Sequence, residues 1–62
     1  MKIVGFAEIK KNATTCKGAE NPNEFIGHIC TVMSFGIDDS VLVLNPKGTA
    51  LAMFDKEDVI RS

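Results

Sequence analysis

Few side chains in this chain are able to do chemistry. His28 and Cys30 stand two positions apart in a strand-like run, which places them on one side of it, and Cys16 lies fourteen positions before Cys30. Together they would offer three metal ligands, but a structural zinc site takes four, usually closely paired in sequence. A thiol–imidazole nucleophile at His28 with Cys30 or Cys16 needs an orienting third group and an oxyanion site. A chain of 62 residues seldom assembles both. Asp38-Asp39 and Asp55-Glu57-Asp58 could work as acid–base pairs or hold a cation. Each already has a local use, in a turn or at a helix start. The expectation is no catalytic residue, no metal and no cofactor, with both thiols free.

The elements that would carry these residues follow from periodicity. Residues 2–10 alternate, with Ile3, Ala7 and Ile9 on one parity and Lys2, Glu8 and Lys10 on the other, as a half-buried strand requires. Val4 and Phe6 break the polar face, so something is expected to cover part of it. Residues 12–24 contain no large aliphatic side chain and carry the turn signal Asn21-Pro22-Asn23, which makes a long polar loop. Residues 25–35 form a long second strand in which alternation groups Phe25, Ile29, Met33 and Phe35 against Ile26, Cys30 and Val32. Both groups are apolar, as suits a strand that bends across two half-sheets.

Two turns then divide the rest. Gly36-Ile37-Asp38-Asp39 leads into a strand at 40–45, and Asn45-Pro46-Lys47-Gly48 leads into one at 49–54. In the second turn Asn can bond its own backbone, Pro sets the first corner and Gly closes it. Asp55 stands at an N-cap position, with room for a single helical turn before a last strand at 58–61. The expected core is Ile3, Ile9, Ile29, Val32, Val41, Val43 and Phe54.

These elements resemble an SH3-like small β-barrel. The resemblance is carried by residues 27–32, the run Asp39-Ser40-Val41-Leu42-Val43, Lys47-Gly48, and Phe54-Asp55-Lys56-Glu57-Asp58-Val59. It covers about the last forty residues and implies an all-β fold, a five-stranded SH3-like antiparallel barrel with one short helical turn before the last strand. The whole chain, 1–62, is read as one such domain. Proline-motif binding does not come with the resemblance, because that groove is lined with Tyr and Trp and this chain has neither.

Composition narrows the function classes. Seven basic and eight acidic residues give a net charge of −1, so no basic excess grips a phosphate backbone. Apolar runs are too short for a membrane span, and Met1-Lys2 leads straight into strand-like sequence, so a cytoplasmic, non-membrane protein is expected. A barrel with one long polar loop and no catalytic set has loops and edges to offer. The expectation is a non-enzymatic protein-interaction module, a subunit, adaptor or inhibitor of a protein partner. Contact would use Thr15, Lys17, Glu20 and Asn23 in the long loop, Asp38 and Asp39 in the first turn, and an uncovered sheet edge. Small proteins of this kind also resemble phage or mobile-element modulators of a host protein. The alternative is RNA or DNA binding, through a patch that Lys10, Lys11, Lys17 and Lys47 would have to form in space.

Overall fold

One face of every strand is apolar, and the fold is the way those faces meet. The computed structural model describes residues 4–36 and 38–61, and the expected core residue Ile3 lies outside them. The five strands are β1 (Gly5–Ile9), β2 (Ile29–Phe35), β3 (Ser40–Leu44), β4 (Leu51–Asp55) and β5 (Val59–Arg61). Strands β1 to β4 run as an antiparallel meander, and β5 returns beside β1, giving the order β4-β3-β2-β1-β5. The sheet is not closed by hydrogen bonding between β4 and β5 among the described residues. The described chain as a whole has nearly equal extents of 26 × 24 × 22 Å.

The inner face gathers Ala7 and Ile9, Cys30 and Val32, Val41 and Val43, Ala52 and Phe54, and Val59, all buried. Phe25 closes this core from the long loop, its ring 5.9 Å from that of Phe54 and tilted by 53°. Ile9, Val32, Val41, Val43 and Phe54 are therefore where the alternation puts them. Ile29 is not: it is exposed on the outer face, while Phe25 and Cys30 are buried.

The cause is Gly27. The expected strand at 25–35 begins only at Ile29, and Phe25 instead ends a 3₁₀ turn over Pro22–Glu24. Gly27 then takes φ +78°, a left-handed conformation that glycine adopts without steric cost. Its N–H bonds Ile9 C=O at 2.8 Å, and the next residue returns a C=O to Ile9 N–H at 3.0 Å. That kink breaks the alternation, so Phe25 and Ile29 no longer share a side. His28 consequently lies before the strand and is exposed while Cys30 is buried, so the two are not the same-side pair that strict alternation implies.

A second irregularity lies further along β2. The register with β3 shifts between Val32 and Ser34, a bulge at Met33, after which Phe35 faces the buried Val41. The covering expected over Val4 and Phe6 is also missing among the described residues: both are exposed.

The β3–β4 turn forms as its residues dictate. Gly48 N–H bonds Asn45 C=O at 2.9 Å. The buried Asn45 carboxamide accepts from Thr49 N–H (2.7 Å) and Ala50 N–H (3.1 Å) and donates to Thr49 Oγ1 (3.0 Å). A 3₁₀ turn over Lys56–Asp58 precedes β5 with Asp55 at its N-cap position, as its place in the sequence predicts, but the Asp55 side chain makes no capping bond. No helix among the described residues is long and apolar enough to cross a membrane.

Candidate interaction groove

The long loop is tied to the sheet by one carboxylate. Asp58 Oδ2 accepts from Thr14 N–H (3.1 Å), Thr15 N–H (3.1 Å) and Thr15 Oγ1–H (2.6 Å). Thr15 Oγ1 in turn accepts from Asp55 N–H at 2.9 Å. The Thr15 hydroxyl bond is the main reason the Asp58 carboxyl is held below its ordinary 3.8, with the two loop N–H groups and the charge of Lys10 adding to it. Two residues on, Lys17 pairs with the outer edge of β4: its N–H and C=O bond the C=O and N–H of Met53, each at 2.9 Å. Ala13, Cys16 and Ala19, around and between these ties, pack partly against the core. The first half of the loop is thus a fixed wall on an edge strand.

The facing wall is the β2–β3 turn. Gly36 N–H bonds Ser40 C=O at 2.8 Å, and a Cβ at Gly36 would displace the Ser40 hydroxyl from its present position. Asp39 adopts φ +57°, a left-handed state that Asp tolerates better than most residues. Its C=O accepts from Lys56 N–H at 2.9 Å, which fastens the turn to the start of the 3₁₀ segment. The Lys56–Asp39 ion pair, 3.5 Å and well exposed, adds little to that backbone bond.

Between the walls lies a groove of about 150 Å³ lined by Thr15, Lys17, Asp38, Ser40, Met53, Phe54 and Asp55. Three of the six residues expected to bind a partner meet here: Thr15, Lys17 and Asp38. Asp39 lies on the other side of the turn, on the wall of a larger groove of about 290 Å³ whose apolar lining includes Phe35, Val41 and Val59. There the Arg61 guanidinium sits 4.7 Å from the centroid of the Phe35 ring. Glu20 and Asn23 are exposed and line neither groove. Within the small groove Thr15 is committed to structure by its bonds to Asp58 and Asp55, while the Lys17 and Asp38 side chains are exposed.

Sequence reasoning missed Asp58. Its position after a cap-like run points to local use, and nothing in the order of residues marks Thr14 and Thr15, more than forty positions away, as its partners. The Phe35–Arg61 stack was equally invisible, because it depends on the bulge that puts Phe35 in register with Val41.

The nucleophile and metal candidates are placed apart. Cys30 is buried, and burial pushes its thiol up to about 11, so it stays neutral at neutral pH. Its Sγ–H points to the carbonyls of Phe25 (3.9 Å) and His28 (3.7 Å), a weak structural contact. Cys16 is a half-buried free thiol in the loop. Among the described residues, no three His, Cys, Asp or Glu side chains form a group able to hold a metal ion. Of the lysines weighed for nucleic acid, Lys17 lines the small groove, whereas Lys47 lines a separate depression with Glu24 and His28. Comparison of the chain with protein-family models, curated proteins and solved structures returned no match.

Proposed function

We propose that this chain is a non-enzymatic protein-interaction module built on an SH3-like barrel, a cytoplasmic subunit, adaptor or inhibitor of a protein partner. The strand order β5-β1-β2-β3-β4, the long first loop and the 3₁₀ turn between β4 and β5 support the barrel reading. The observation that carries the functional reading is the convergence of Lys17 and Asp38. They come from segments separated by the whole of β2, yet line one groove whose walls are pinned by backbone bonds. One cation and one acid on fixed walls recognise a complementary pair on a partner with little ordering cost.

Nucleic-acid binding fits less well, because Lys17 and Lys47 line different depressions and each has an acid beside it. Affinity capture from the native host, with and without nuclease treatment of the lysate, decides between the two. A protein retained equally in both supports the module, and capture that disappears with nuclease rejects it.

A further inference from the structure

The outer face of the sheet carries a surface that the groove does not use. The outward residues of β1 are Phe6 and Glu8, with Val4 exposed just before it, since Ala7 and Ile9 point into the core. The register sets Glu8 opposite Ile29 on β2 and opposite Ile60 on β5, so the three form one row across three strands. Phe6 stands in the adjoining row, opposite Thr31. Ile29 is 65% exposed, Phe6 58% and Ile60 49%. Ile29 and Ile60 also flank a shallow depression of about 120 Å³ with Glu8 on its wall. Single exposed apolar side chains are normal, but neighbours in register make a contiguous patch, and such patches mark interaction surfaces.

Glu8 determines what can cover this patch. Among the described residues the Glu8 carboxylate takes part in no salt bridge and no side-chain hydrogen bond. Lys10, the residue after β1, lies near the Asp58 carboxylate. Any apolar cover would strip water from Glu8, which is costly unless the cover brings a cation. A second copy placed about a two-fold axis through this row would set Glu8 against its own symmetry mate.

We propose that the outer face of β2, β1 and β5 is a second docking surface, for a protein partner that sets a lysine or arginine on Glu8 between apolar contacts to Ile29, Ile60 and Phe6. It lies apart from the Lys17–Asp38 groove, so either surface can fail without the other. A chain using both would bridge two proteins.

The test is selection from a displayed random peptide library, run in parallel on the wild-type protein and Glu8→Lys. Wild type should enrich peptides with Lys or Arg between apolar residues, and these should bind Glu8→Lys and Ile29→Asp at least about tenfold more weakly. The same peptides should bind Lys17→Glu unchanged, and their amide shift changes should centre on Phe6, Glu8, Ile29 and Ile60. Glu8→Lys should instead enrich acidic peptides. The proposal is overturned if no binder depends on position 8, or if the shifts centre on Lys17 and Asp38. A wild-type dimer that Ile29→Asp dissolves also overturns it, in favour of self-association.

Discussion

The β3–β4 turn and the long first loop are both polar segments bonded into the fold, but they are held in opposite ways. The turn is closed by Asn45, whose partners Thr49 and Ala50 lie four and five residues on, and no charge is involved. The loop is held by Asp58, a charged group whose partners lie 43 and 44 residues away. A local neutral lock holds at any pH. A remote charged lock binds the wall of the groove to the protonation of one carboxylate.

The loop also has an apolar anchor at its end, and breaking it should have the largest effect. Phe25→Ala should cost about 3–5 kcal/mol, most of the stability of so small a domain, while Ile29→Ala should stay within about 0.5 kcal/mol. Thermal or urea unfolding of the pair checks whether Gly27 breaks the alternation. Equal losses would restore the uninterrupted strand.

Asn45→Ala should come next, at roughly 1–2 kcal/mol, because it removes a buried carboxamide and the acceptor of two part-buried N–H groups. That loss should be the same at pH 3 as at pH 7, since nothing in the turn titrates between them.

Asp58→Asn should cost no more at neutral pH, about 1–2 kcal/mol, since the amide keeps one acceptor oxygen. Its signature is pH dependence. The folded-state value of Asp58 lies below the unfolded 3.8, so its contribution is fully present above that value and is lost as pH falls through the folded one. Wild type should therefore converge on Asp58→Asn below about pH 4. Parallel curves of stability against pH would remove Asp58 from its place as the lock. Thr15→Val should behave alike, and any loss of partner binding there would come with a loss of stability.

These two regions also mark how far the sequence could be read. The order of strands, both turns and the single helical turn before β5 were legible, because Gly36-Ile37-Asp38-Asp39 and Asn45-Pro46-Lys47-Gly48 encode their geometry locally. The core was legible wherever alternation ran unbroken, at Ile9, Val32, Val41, Val43 and Phe54. It failed at Ile29 because a glycine kink moves a side chain across the sheet with no change in composition. At the groove, Lys17 and Asp38 were legible as exposed polar residues, but their convergence needs the Lys17–Met53 pairing, a long-range event. Thr15 looked free for the same reason, and its hydroxyl is spent on Asp58 and Asp55.

The smallest expected effects on stability fall at Lys17 and Asp38, and there the account is most exposed. Both side chains are solvated, so Lys17→Glu and Asp38→Lys should each shift stability by no more than about 0.5 kcal/mol. The decisive measurement is partner capture and melting temperature recorded together for these two variants beside Lys11→Glu and Lys47→Glu. An interaction module working through the groove predicts that Lys17→Glu and Asp38→Lys lose the partner with unchanged melting, while Lys11→Glu and Lys47→Glu retain it. Groove variants that capture normally, beside lysine variants that do not, would contradict the account and assign the chain to nucleic acid.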